Sequence, residues 1–187
     1  MPYCNFDYYI RVYTIIEKFS IAIIFEIYFI LYYTIKTEVI NKFGRRFFKL
    51  EYTKVLIREA LESRNKAYMP YSHFKVGAAL LTFDGNKIYG GHNIECAAYS
   101  VCNCAERTAL FRAVYDGYKK FRAIAVVGGK EDHELDSYAP PCGMCRQALR
   151  EFVDPREFNV ILAKNEDEFE VYTLEDLLPN SFGPNNL

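Results

Sequence analysis

At 187 residues the chain has room for one domain and an additional segment, and a composition of 51% hydrophobic and 25% charged residues permits a packed core. A formal net charge of -1 excludes the basic footprint a nucleic-acid binder would need. Six cysteines, with no convincing secretory signal, argue against a secreted disulfide scaffold and for a reducing, cytoplasmic setting, where clustered cysteines bind metal more often than one another.

Residues 1–49 differ from the rest. Phe, Tyr, Ile, Lys and Asn fill 30 of these 49 positions, and Gly, Ala and Pro only three, namely Pro2, Ala22 and Gly44. Three readings compete. A membrane-spanning helix over Ile21 to Ile35 would carry Glu26 in mid-span, at a cost of about 3 kcal/mol. A signal peptide would want small residues after the apolar run, and Thr34-Ile35-Lys36-Thr37 supplies none. The third reading is that the segment is a translation of upstream DNA. Its prevailing residues are those AT-rich codons encode. Gly44-Arg45-Arg46 is encodable as a ribosome-binding sequence a few codons before Leu50, whose codon can serve as a start. The expected organisation is therefore an atypical hydrophobic extension over 1–49 and a catalytic domain over 50–187, with no membrane partner unless the extension is real.

From Leu50 onward the pattern alternates between helix and strand. Glu51 to Tyr68 has helical spacing of apolar residues. Val76 to Phe83 reads as a strand, and Asp84-Gly85 as the turn of a hairpin into Lys87 to Asn93. Asn103 is the expected N-cap of a helix reaching Tyr115. Phe121 to Val127 reads as a buried strand ending at Gly128-Gly129. Pro140-Pro141 introduces a helix from Cys142 to Phe152. Asn159 to Ala163 and Glu168 to Tyr172 are further strands. Thr173, with Asp176 three residues on, is placed to cap a short closing helix.

Chemistry concentrates in Cys104-Ala105-Glu106 and Cys142-Gly143-Met144-Cys145. Three thiolates fill three corners of a zinc tetrahedron and leave the fourth open, which is the catalytic rather than the structural pattern. Cys142 and Cys145 share one helix face and lie in a first turn, where the helix dipole favours thiolate, and Cys104 opens another helix. Glu106 is placed to move the protons of a water in the open position. Three thiolates leave a zinc site with net charge about -1, and Arg107 is the group at hand to offset it. A closed, structural site would need a fourth ligand, with Cys102, His92, His73 and His133 as candidates. An open zinc beside a glutamate suits attack on an amidine carbon with loss of ammonia, the arrangement of zinc nucleobase deaminases.

The run from Asn93 to Arg107 (NIECAAYSVCNCAER) resembles the active-site segment of small homotetrameric cytidine deaminases, and Pro141 to Gln147 (PCGMCRQ) their second zinc segment. Tyr71 to Leu80 is similar to their first strand and its approach loop. Leu177-Leu178-Pro179 followed by Phe182 resembles their C-terminal signature. The resemblance implies an α/β fold, a three-layer α/β/α sandwich around a five-stranded mixed sheet. It implies one Zn²⁺ per chain on Cys104, Cys142 and Cys145, with Glu106 as proton carrier. It also implies Phe74 against the pyrimidine, Asn93 and Glu95 on the ribose hydroxyls, the Ala105 backbone on the base, and Phe182 and Tyr99 reaching a neighbouring subunit's site. One departure stands out. Cys96 occupies a position where the family usually has Asn, which implies modestly weaker nucleoside binding.

The expected activity is hydrolysis of cytidine and 2′-deoxycytidine to uridine and 2′-deoxyuridine plus ammonia, in pyrimidine salvage. Deaminases of nucleoside antibiotics of the blasticidin S type share the zinc segments, but Asn93 and Glu95 favour cytidine. Polynucleotide and nucleotide deaminases typically use His where Cys104 stands. A non-catalytic, zinc-stabilised binding protein would have no use for Glu106.

Overall fold

The computed structural model describes residues 52–186, and the expectations for residues 1–49 lie outside that range. Helix α1 (52–64) leads through a turn to β1 (Phe74–Thr82) and β2 (Ile88–His92). There follow α2 (Ala105–Tyr115), β3 (Phe121–Lys130), α3 (Gly143–Arg150), β4 (Asn159–Ala163), β5 (Phe169–Thr173) and α4 (Leu174–Leu177). Among the described residues no helix is long and apolar enough to cross a membrane.

The five strands form one mixed sheet in the order β2-β1-β3-β4-β5. β1 runs antiparallel to both β2 and β3, β3 is parallel to β4, and β5 is antiparallel to β4. The two-residue period of a strand divides its side chains between the two faces. Ala78, Leu80, Ile124, Val126, Val160 and Leu162 join one buried cluster, with Ala109 and Leu110 of α2 and Leu149 of α3. The alternate residues Ala79, Leu81, Ala125, Val127 and Ile161 join the other, with Leu56, Ile57 and Ala60 of α1. Helices therefore cover both faces, and the three-layer sandwich expected from the sequence is the fold.

Element boundaries moved where pairing overrode local preference. β3 continues through Gly128-Gly129 to Lys130, because Phe74, Lys75 and Val76 lie opposite and supply partners. β1 accordingly begins at Phe74, two residues before the expected start. Asn103 does not cap α2. Its backbone exchanges two 2.9 Å hydrogen bonds with Ile94, so the helix starts one residue later and Cys104 is the N-cap. α3 ends at Arg150 rather than Phe152. The Thr173–Asp176 capping box is present, with the Thr173 Oγ1 accepting the Asp176 N–H at 3.2 Å and the Asp176 carboxylate accepting the Thr173 N–H at 2.8 Å.

Candidate active site

Cys104 is the N-cap of α2 and Cys142 the N-cap of α3, while Cys145 sits one turn into α3. The two helices therefore present their N-terminal ends to one point, where peptide dipoles favour negative charge. The three Sγ atoms lie within 4.8 Å of one another. Cys104 to Cys142 is 3.9 Å and Cys142 to Cys145 is 3.4 Å. Tetrahedral ligation with Zn–S bonds of about 2.3 Å requires sulfurs about 3.8 Å apart, so the donor set fits zinc. Cys145 is fully buried, Cys104 half-buried and Cys142 exposed, which leaves the cluster open on one side.

None of the four candidates for a fourth ligand joins this group, which comprises only Cys104, Cys142 and Cys145 among the described residues. Cys102 Sγ accepts the Cys96 N–H at 3.2 Å. His92 Nδ1 lies 3.2 Å from the Asn93 carbonyl, His73 beside Glu131, and His133 Nδ1 2.8 Å from the Glu131 carbonyl. The arrangement is that of an open site.

Their surroundings set the Cys104 and Cys145 thiols apart. The Cys145 thiol, donating towards Cys104, lowers the Cys104 thiol to about 5 against the opposing effect of burial, and the Arg107 guanidinium adds to the lowering. Cys145 is pushed up by the same bond, by burial and by the negative charge of Glu106. Arg107 donates from Nη2 to the Cys102 carbonyl at 3.0 Å, and its buried Nε–H has no hydrogen-bond partner. A buried donor left over beside thiols suits a site whose sulfurs carry charge.

Glu106, two residues beyond Cys104, is only 3% exposed. Burial, followed by the charge of Cys104, raises its carboxyl above the ordinary range. Ala105 is fully buried at the first position of α2.

Phe74 opens β1 and is 38% exposed. Asn93 Oδ1 accepts the Val76 N–H and its Nδ2 donates to the Phe74 carbonyl, both at 2.9 Å, so this side chain stitches the start of β1. Glu95 is buried beneath the turn before Phe74. One carboxylate oxygen accepts the Tyr71 and Ser72 N–H groups, each at 3.1 Å, and the other accepts the Ser72 hydroxyl. Burial pushes its carboxyl up, and these hydrogen bonds outweigh that and hold it below the ordinary value. Tyr99 and Phe182 are 64% and 57% exposed. The Tyr99 ring lies 5.9 Å from that of Tyr71, and the Phe182 carbonyl accepts from Gln147 at 3.0 Å.

A family model for the cytidine and deoxycytidylate deaminase zinc-binding region matches residues 50–161. The chain belongs to the cytidine deaminase family. The cytidine deaminase of Sporosarcina psychrophila is 47% identical to it over 132 residues, 71% of this chain and 92% of that protein. That of Halalkalibacterium halodurans is 45% identical over 129 residues, 69% of this chain and 92% of that protein. Among solved structures, cytidine deaminase from Burkholderia pseudomallei superposes with a TM-score of 0.61 at 48% identity, over 68% of this chain and 97% of that one. The cofactor of this deaminase chain is zinc, for which the matched region is named and which the three-cysteine cluster fits.

Sequence reasoning passed over two side chains that shape this deaminase site. Ser72 touches both Glu95 and the Phe74 amide, and its only sequence signal was its place in Tyr71-Ser72-His73-Phe74. Arg146 stands in the segment Pro141 to Gln147, where its residue type alone left a helix-face charge and a role at the site equally open. It donates to the Pro141 and Leu177 carbonyls, both at 2.6 Å, and so ties the approach to Cys142 to the end of α4.

Proposed function

We propose that this enzyme hydrolyses cytidine and 2′-deoxycytidine to the corresponding uridines and ammonia, within pyrimidine salvage in the cytoplasm. The observation that carries the reading is Glu106, buried next to three convergent cysteine sulfurs on two helix N-termini. Cys104, Cys142 and Cys145 hold the zinc. When bound, zinc supplies a Lewis-acidic centre that makes water a nucleophile near neutral pH.

Glu106 takes one proton from the attacking water and passes it to N3 of the cytosine ring, then takes the second from the hydroxyl added at C4 and gives it to the amino group, which departs as ammonia as the C4 carbonyl forms. Its burial suits that cycle, because a carboxyl held above its ordinary range accepts a proton more readily and still gives it up. Arg107 offsets the negative charge of three thiolates. Phe74 packs on the pyrimidine face and the Ala105 backbone meets the base. Asn93 and Glu95 bind the sugar hydroxyls with what the fold leaves them. An amide offers two donors and two acceptor sites, of which one each is used here, and a carboxylate offers about four acceptor sites, of which three are used.

The working form is a homotetramer in which Tyr99 and Phe182 reach a neighbour's site. What supports this is that both side chains are exposed and so accessible to a neighbouring subunit. The test of the activity is loss of cytidine absorbance with zinc-loaded protein, wild type against Glu106→Gln. Wild-type turnover that disappears in the variant supports the reading. An inactive wild type holding one zinc per chain overturns it.

A further inference from the structure

Ser72 hydrogen-bonds through both its hydroxyl and its amide at the junction of two substrate-facing residues. Its hydroxyl donates to one oxygen of Glu95 and accepts the Phe74 N–H at 3.1 Å, while its own N–H donates to the other Glu95 oxygen at 3.1 Å. Between Ser72 and Phe74 the chain turns sharply. His73 stands in the left-handed region at φ 53°, and its carbonyl accepts the Glu131 N–H at 2.8 Å. A non-glycine residue held there costs energy that surrounding contacts must offset. The hydroxyl of Ser72 is one of those contacts, and it links the carboxylate on one side of the turn to the first residue of β1 on the other.

We propose that Ser72 is a positioning residue that couples Glu95 to Phe74 and so sets the sugar and base contacts in register. The inference rests on the reading above, in which Glu95 meets the sugar and Phe74 the base. Removing the hydroxyl frees the Phe74 N–H and withdraws one of three donors from Glu95. The carboxylate can then swing away from the orientation in which its remaining acceptor faces the nucleoside. The loss should therefore depend on the sugar hydroxyls of the substrate.

The experiment compares Ser72→Ala, Ser72→Thr and Glu95→Gln in the zinc-loaded full chain, with cytidine and 2′,3′-dideoxycytidine as substrates and the thermal midpoint as control. With cytidine, Ser72→Ala should raise KM about tenfold and change kcat by less than about threefold, the signature of lost ground-state binding. With the dideoxy substrate, which lacks the 2′- and 3′-hydroxyls, the penalty should shrink to about twofold, and Ser72→Thr, which keeps both hydrogen-bonding roles, should restore KM. An equal penalty on both substrates, or a lower kcat accompanied by a lower thermal midpoint, makes Ser72 merely structural and overturns the proposal. An unchanged KM in Ser72→Ala, with a raised one in Glu95→Gln, overturns the role of Ser72 and leaves that of Glu95 intact. If Glu95→Gln itself does not distinguish the two substrates, the sugar assignment of Glu95 falls.

Discussion

The backbone of Gly91 rests against Ala105, the residue between the first cysteine of the cluster and Glu106. A β-carbon at position 91 would overlap the Ala105 carbonyl oxygen and the Ala109 amide nitrogen, and would lie 2.9 Å from the Ala109 Cα. Strand β2 thereby sets how close the N-terminus of α2 sits to the sheet. Gly91→Ala has only backbone to push against, so the helix must move. The variant should lose about 1–3 kcal/mol of stability, as overpacked cores do. It should also hold zinc less tightly, because Cys104 travels with the helix. Urea unfolding and metal content after dialysis against a weak chelator check both effects, and a variant that keeps wild-type zinc retention would count against the coupling.

Arg107 should matter for turnover more than for folding. Its guanidinium lies beside thiols whose charge it lowers the cost of, and its Nη2 is tied to the Cys102 carbonyl. Groups that support metal ligands in this way are typically worth 10- to 100-fold in affinity or activity. Arg107→Gln is therefore expected to lower kcat by about that factor at saturating zinc. Steady-state kinetics with added zinc separate this from simple metal loss. Full activity in the variant would mean that the charge of three thiolates is balanced elsewhere.

Glu95 gives a pH dependence with a definite sign. Burial pushes its carboxyl up, the Ser72 and Tyr71 donors outweigh that, and the folded value lies below the unfolded one. The ionised form therefore stabilises the fold fully above the unfolded value, near 4.5, and this contribution fades as pH falls through the folded value. Glu95→Gln should be less stable than wild type at pH 7, by about 2 kcal/mol for hydrogen bonds to a charged acceptor. The gap should close in acid, once wild-type Glu95 is protonated. Urea midpoints at pH 7 and in the acid limb make the comparison, and a gap that stays constant with pH would rule out ionised Glu95 as its source.

The sequence made the fold legible wherever a strand alternates between two faces, as in Ala78 to Leu81 and Val160 to Ala163, because burial on both sides leaves one consistent pattern. It made the zinc cluster legible because ligand chemistry restricts residue type and spacing together. What it hid depends on long-range pairing. Gly128-Gly129 looked like a strand end, yet β1 lies opposite and prolongs the strand. Asn103 looked like a cap, yet Ile94 claims its backbone. The double use of Asn93 and Glu95, as scaffold for the β1 approach as well as candidates for the sugar, could not be read from the motif. A motif states which side chain stands where and is silent on how many of its hydrogen bonds the fold has already taken.

Zinc should hold the domain together as well as serve its chemistry. Cys104 and Cys142 are 38 residues apart and belong to different helices, so their proximity exists only in the folded state. A ligand that binds only that state stabilises it in proportion to the logarithm of its free concentration over Kd, by about 4 kcal/mol at a thousandfold excess. Chelation should therefore lower the thermal midpoint of the wild type by several degrees and abolish turnover, and zinc should restore both. In Cys145→Ala the cluster loses its fully buried sulfur. The midpoint of that variant should be nearly insensitive to chelator and to added zinc, since two sulfurs on separate helix ends make a weak site. Calorimetry of both proteins with and without chelator reads the difference. A shift of equal size in Cys145→Ala would place the stabilising metal somewhere other than these three cysteines.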